Sequence, residues 1–406
     1  MSSKEKRNIL IAASILFVFS IFFAKNNDTF LRQNLTNLRW DLSQKQQPNV
    51  SGNQNTQESV LSGRLAIVFR ESRPATLKIE TRLKENMKST HPGFGAAFTG
   101  STIGLGSGFF ISDGGLVLTA YHVVDKSELY YIPGNGDNLK FVAIDANENT
   151  YDLELLAFDA ILDLAILQAN VKEKVPKLEL ASKAPKLGST ILAIGNSHDQ
   201  LLAARTGKVV HLGTTGPKGR FADETIELSA ALAAGDSGGP VLNTKGEVIG
   251  VTSYIAYNPN HQSVSSATAS FVIPITKGST ALANLLAGKN RDVAVIGFSS
   301  GSSLDYDPER ASIDLGKLPG AVVDKVKKGG PADKAGLRSI QLDEFNHILA
   351  ADVIVAIDGI ATKTMEDVID LLFDKQVGDK IKLSVQRQDE LIELELTLGA
   401  KNEVFE

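Results

Sequence analysis

The chain has 406 residues, of which 43% are hydrophobic and 22% charged, a globular balance with room for two or three domains. Its net charge of −5 gives no electrostatic reason to expect a nucleic-acid partner. The absence of cysteine excludes disulfides, thiolate metal sites, iron–sulfur clusters and a cysteine nucleophile. No cofactor and no metal is expected.

Lys4, Lys6 and Arg7 precede an uncharged apolar run over residues 9–24. As a helix it would span roughly 24 Å, a little under the ~30 Å hydrocarbon core. Both a cleaved signal peptide and an uncleaved anchor fit such a run. The large Phe22 stands where a cleavage site wants a small residue, which favours a single-pass transmembrane anchor. The preceding basic residues then stay in the cytoplasm and the remainder lies outside, in the periplasm of a two-membrane bacterium. Residues 25–63 are rich in Asn, Gln and Ser and read as a polar linker.

Residues 64–288 change in texture. Short apolar, β-branched runs at 65–69, 76–79, 108–111, 117–120, 153–158, 164–168, 190–194, 207–211, 248–253 and 270–275 are separated by Gly, Asn, Asp and Pro. That pattern predicts a mainly β barrel or sandwich. A helix is expected over about 277–287, then a second, smaller α+β domain over 291–400.

Gly235-Asp236-Ser237-Gly238-Gly239-Pro240 is the strongest local signal. A nucleophilic Ser has to project from a tight turn, and glycines beside it permit unusual φ/ψ and close substrate approach. The N–H groups of Gly235 and Ser237, flanking Asp236, can converge on an oxyanion, each such donor lowering the barrier by about 3–4 kcal/mol. His122 follows the apolar run at 117–120, and Asp163 opens the run at 164–168. Together the three supply nucleophile, general base and orienting carboxylate. The order His122, Asp163, Ser237 decides the fold. An α/β-hydrolase runs Ser, acid, His, and the histidines after Ser237, His261 and His347, have no matching context. The observed order is that of the chymotrypsin double β-barrel.

On these motifs, with 105–111, 118–124, 163–167 and 193–196, the chain resembles the HtrA/Deg family of trypsin-like proteases with a PDZ domain, most nearly its DegS-like architecture of one anchor and one PDZ domain. The resemblance covers about residues 58–400. It implies a triad of His122, Asp163 and Ser237, an oxyanion-hole loop at 235–237, a homotrimer, and activation by strain or peptide in the loops 84–101, 197–206, 228–235 and 252–264. The sequence departs from the family in having Asp236 where Asn is usual, and Ala233-Ala234 and Ser197 in place of the usual loop residues.

The substrate pocket is expected along Ala231 and Leu232 on one wall and Val251, Thr252 and Ser253 on another. No charge stands there, so cleavage after small or medium apolar residues is expected. In the PDZ-like part, Val295-Ile296-Gly297-Phe298 is the expected carboxylate-capturing turn. Met365, Val368, Ile369 and Leu372 recur at helical spacing and could line a groove for C-terminal peptides or fill the core. Insertions relative to the family are read at 299–317 and 338–349. The expected function is a membrane-anchored, regulated serine endopeptidase acting on misfolded or regulatory proteins. The competing reading is a catalytically silent PDZ-bearing chaperone or scaffold.

Overall fold

The structure, a computed structural model, describes residues 61–84, 102–126, 138–197, 201–214, 225–257, 268–299 and 305–405, single positions 62, 312 and 346 excepted. The expected anchor at 9–24 and nearly all of the polar linker lie outside these residues. Among the described residues no helix is long and apolar enough to cross a membrane.

Twelve strands make two closed antiparallel barrels. The first holds β1 (Thr76–Leu83), β2 (Thr102–Phe110), β3 (Leu116–Thr119), β4 (Leu139–Ile144), β5 (Thr150–Asp159) and β6 (Leu164–Ala169) in the order β1-β2-β3-β6-β5-β4. The second holds β7 (Thr190–Gly195), β8 (Ala203–Thr214), β9 (Thr225–Leu228), β10 (Pro240–Leu242), β11 (Val248–Tyr257) and β12 (Thr268–Pro274) in the order β10-β11-β12-β9-β8-β7. Closure leaves no unpaired edge. Leu77, Phe110, Val117 and Leu167 fill the first barrel, and Ile191, Val209, Ile226 and Val241 the second. A third cluster joins the outward faces of both, through Phe109, Leu118 and Ile166 from one and Leu192, Leu242 and Val251 from the other.

The run at 65–69 is not a strand but part of helix α1 (Arg64–Ser72). Its buried residues, Val68, Phe69 and Ser72, follow a spacing of one, three and four that fits a 3.6-residue turn. The helix lays Val68 and Phe69 on the inter-barrel cluster. The expected helix near 277–287 is α2 (Thr280–Leu286), capped by the Ser279 side chain, which accepts from Leu282 N–H. Leu282 and Leu285 pack on the same cluster.

Beyond Arg291 lies a six-stranded sheet with short helices. Strands 305–306, 320–322, 352–357, 380–387 and 390–397 follow in that spatial order, with 360–361 attached to 352–357. Helices α3 (Pro331–Ala335) and α4 (Met365–Phe373) accompany the sheet. Thr364 caps α4 in a reciprocal capping box with Asp367. The insertion at 338–349 contains a hairpin, strands 341–342 and 348–350, whose turn is held by Asp343 accepting from the N–H groups of Phe345 and His347.

Asp352, 1% exposed, is the buried charge of this unit. Arg387 Nε and Nη2 donate to its two oxygens at 2.8 and 2.7 Å, and Arg338 N–H donates to Oδ2 at 2.7 Å. Removing one partner of a buried pair leaves the other uncompensated. Asp352→Ala is therefore expected to destabilise this unit by about 3 kcal/mol. Amide hydrogen exchange in strand 380–387 checks it, and unchanged protection there would refute it.

Candidate active site

The seam between the barrels begins with strand register. Strand β3 pairs with β6, Thr119 opposite Ala165, so the residues just past one strand meet those just before the other. The 3-10 turn Tyr121–Val123 carries His122. Asp163 sits at φ 56°, a left-handed conformation uncommon for a non-glycine residue. Tyr121 N–H donates to Asp163 O at 3.2 Å, and His122 N–H to Asp163 Oδ1 at 2.9 Å. His122 Nδ1 lies 3.0 and 2.9 Å from the two carboxylate oxygens. An ionised carboxylate only accepts, so Nδ1 carries a proton toward Asp163 and Nε2 is the nitrogen left to take up or release one.

A further donor reaches this carboxylate from the second barrel. Ser253 Oγ, in β11, donates to Asp163 Oδ2. Burial works to raise the Asp163 carboxyl, but His122's charge, the bonds from its ring and from Ser253, and its backbone N–H hold it below the ordinary value.

Ser237 stands in the turn before β10. Its carbonyl accepts from Ser107 N–H of β2 at 2.7 Å. The next two residues clip to β11: Gly238 N–H donates to Thr252 O at 2.6 Å and Thr252 N–H to Gly239 O at 2.9 Å. Gly238 has φ 85°, and a Cβ there would lie 2.1 Å from Ser107 O and 2.2 Å from Thr119 Oγ1. Only glycine lets this turn press against the strand leading to His122. Ser237 Oγ donates to Ser253 O at 3.0 Å. A hydroxyl has one proton to give, and here a carbonyl receives it.

The loop before Ser237 is held from both sides. Gly235 O accepts from Ser107 Oγ at 2.7 Å and Asn196 N–H at 3.3 Å. Asp236, 1% exposed, accepts from Ser197 N–H at 3.1 Å and Ala233 N–H at 3.0 Å. Among the described residues, the N–H groups of Gly235 and Ser237 are donated to no other protein group.

The expected pocket residues divide. Ala231 is exposed and Leu232 is 4% exposed, within the second barrel's core. Val251 is fully buried in the inter-barrel cluster, so its side chain is core. Thr252 serves through its backbone, and Ser253 turns to Asp163. In the PDZ-like unit Ile296 is buried core, and Val295 pairs with Gly399. Gly297 adopts φ 93°. Phe298, Ile369 and Leu372 are partly buried against one cluster that contains Met365 and Val368.

Sequence reasoning did not find the part played by Ser253, 90 positions from Asp163, nor that of Asn196, whose Nδ2 donates to Ser107 Oγ at 3.0 Å. In the sequence Ser253 reads only as part of a pocket wall, on the apolar run 248–253.

Two closed barrels with this seam, followed by the small sheet, define a chymotrypsin-type double-barrel domain joined to a small mixed α and β module. The chain matches the trypsin-like peptidase domain family over residues 106–251 and the PDZ domain family over residues 294–398. It is 27% identical over 303 residues to Protease Do-like 1, chloroplastic, of Arabidopsis thaliana, covering 73% of this chain and 64% of that protein. It is 29% identical over 318 residues to a probable periplasmic serine endoprotease DegP-like of Rickettsia prowazekii (strain Madrid E), covering 76% of this chain and 55% of that protein. The chain thus spans less than two thirds of these relatives' own length. A solved structure titled HtrA-type protease AlgW with decapeptide is 22% identical, covers 84% of this chain and 99% of that one, and superposes with a TM-score of 0.44. The chain thus carries a trypsin-like peptidase domain followed by a PDZ domain, and is similar to DegP-like serine endoproteases.

The lowered Asp163 carboxyl sets a sign. Its folded form favours the charged state, so the stabilisation is present at neutral pH and is lost as pH falls through the folded value. Thermal melts of the parent and Asp163→Asn should converge as pH falls below about 5. A difference that stays as large in stronger acid would contradict the assignment.

Proposed function

We propose that this chain is a regulated serine endopeptidase in which Ser237 is the nucleophile, His122 the general base and Asp163 the group that orients and stabilises the imidazolium. The observation that carries the reading is the Asp163 carboxylate, which holds the His122 ring by Nδ1 and, through Ser253, touches the residue that receives the Ser237 hydroxyl. In the reaction the Ser237 hydroxyl leaves the Ser253 carbonyl and turns to His122 Nε2. Nε2 takes its proton as Oγ attacks the scissile carbonyl, then returns it to the leaving amine. The undonated N–H groups of Gly235 and Ser237 are the donors for the tetrahedral oxyanion.

The hydroxyl's bond to Ser253 is that of a resting state, in keeping with an enzyme switched on by its partners. Substrate or peptide that binds the turned state better shifts the population toward it. The PDZ domain, over 291–400, takes C-terminal peptides between Val295–Phe298 and α4, with Phe298, Ile369 and Leu372 as its apolar lining. The apolar run at 9–24 anchors the protease domain, 64–288, to the inner membrane with its catalytic face in the periplasm. The working assembly is a homotrimer, and its role lies in protein quality control or stress signalling. The uncharged Ala231 and Leu232 favour small or medium apolar residues before the cut.

A fluorophosphonate probe tests this reading. It should label the full chain faster when C-terminal peptides are added, and Ser237→Ala should abolish labelling. Absence of Ser237-dependent labelling with and without peptide would favour the silent chaperone instead. Peptide libraries should show cleavage after Ala, Val or similar residues, and a preference for Lys or Arg would overturn the pocket assignment. The anchor is checked by carbonate extraction of membranes, in which the chain should stay with the pellet.

A further inference from the structure

Two ends of the PDZ unit meet the back of the turn that carries His122. On entry, Arg291 N–H donates to Phe158 O at 2.9 Å, Ala160 N–H to Arg291 O at 2.8 Å, and Arg291 Nε to Asp159 Oδ1 at 2.8 Å. On exit, helix α5 (Lys401–Phe405) reaches the same place. Asn402 Nδ2 donates to the Tyr121 hydroxyl at 2.7 Å and to Asp292 Oδ2 at 3.0 Å. Lys401 Nζ pairs with Asp125 Oδ2 at 3.1 Å.

Tyr121 immediately precedes His122. It is 4% exposed, and its ring stacks on Phe158 at 4.5 Å and 13°. Burial, and then the charge of Asp125, push its phenol up, so it stays a neutral hydrogen-bonding group. Its N–H is the one bonded to Asp163 O. The turn Tyr121–Val123 is therefore pinned at one side by Asp163 and at the other by α5. The same helix presents Val404, 8% exposed, to the PDZ turn: a Cβ on Gly297 would meet Val404 Cγ1 at 3.2 Å. A buried polar contact between two domains orients as well as stabilises, because its members lose bonds if either moves.

We infer that Asn402, assisted by Lys401, is a positioning residue for His122, acting through the Tyr121 hydroxyl and Asp125 so that the PDZ unit sets the imidazole from behind. This rests on the endopeptidase reading above. It adds that one five-residue helix touches both the Gly297 turn and the turn of the general base. Neither residue reaches substrate. Their effect is on where the ring stands when Ser237 turns to it.

The experiment uses the full chain and two readouts, the rate constant of fluorophosphonate labelling at Ser237 and hydrogen exchange in a peptide covering 119–126. Asn402→Ala and Tyr121→Phe should each slow labelling about fivefold, the factor that follows from losing one neutral hydrogen bond. They should also speed exchange in that peptide. The double variant should be slowed by less than the product of the two single effects, since both remove the Tyr121–Asn402 contact. Lys401→Arg should label faster than Lys401→Ala by restoring the Asp125 pair. This last comparison keeps the test open if Tyr121→Phe fails to fold. With a peptide substrate, the loss should fall on kcat with KM nearly unchanged. Variants that melt earlier yet label at the parent rate would make α5 a structural strap and overturn the inference alone. Multiplying effects in the double variant would likewise overturn it. A parent chain that never labels would instead overturn the endopeptidase reading beneath it, and this inference with it.

Discussion

The Asp163 carboxylate is the point on which the site turns. A charge taken out of water is costly unless hydrogen bonds replace the solvent it loses. Here the replacements come from both barrels: the His122 backbone and ring from the first, the Ser253 hydroxyl from the second. Meeting that demand brings the barrels into register at the seam. It also fixes the imidazole tautomer, and it puts Asp163 itself at a positive φ that a residue without so many partners would relax.

Close packing around the site then depends on what is missing from the backbone. A Cβ at Gly195 would lie 2.4 Å from Asp236 Oδ1, and one at Gly106 would lie 2.6 Å from Val123 Cγ1. These glycines make room, the first for a buried carboxylate and the second for the side chain beside His122. Ser107 uses the space gained: its N–H holds Ser237 and its hydroxyl holds Gly235. Beneath this polar layer the inter-barrel cluster, with α1 and α2 laid on it, supplies apolar burial that polar contacts alone would not. The Ser237 turn is thus held at its carbonyls, while its hydroxyl donates to Ser253 O.

The PDZ unit has its own core and its own buried ion pair, Asp352 with Arg387. It is nevertheless not a bead on a string. Its first and last residues are bonded to the strand end at Phe158–Asp159 and to the turn at Tyr121–Asp125. Such contacts are modest in energy but specific in geometry.

Local chemistry made much of this visible in advance. Glycines around Ser237, a His and an Asp each at the border of an apolar run, and their order along the chain were sufficient to choose a double barrel over an α/β sheet. Turn residues marked most strand borders, and Met365, Val368, Ile369 and Leu372 marked the helical period of α4. Periodicity failed where a run was short: five apolar-leaning residues at 65–69 fit a strand or a helix, and only burial on the inter-barrel cluster decided for the helix. The tertiary structure alone decided the contacts made across long separations. It made Ser253 a partner of Asp163, placed Val251 in the core, and set Asn402 against Tyr121, 281 positions away. The physical reason is that a residue's neighbours along the chain fix its backbone, whereas the partner of a buried polar side chain is whichever group the closed barrels and the docked module bring within reach.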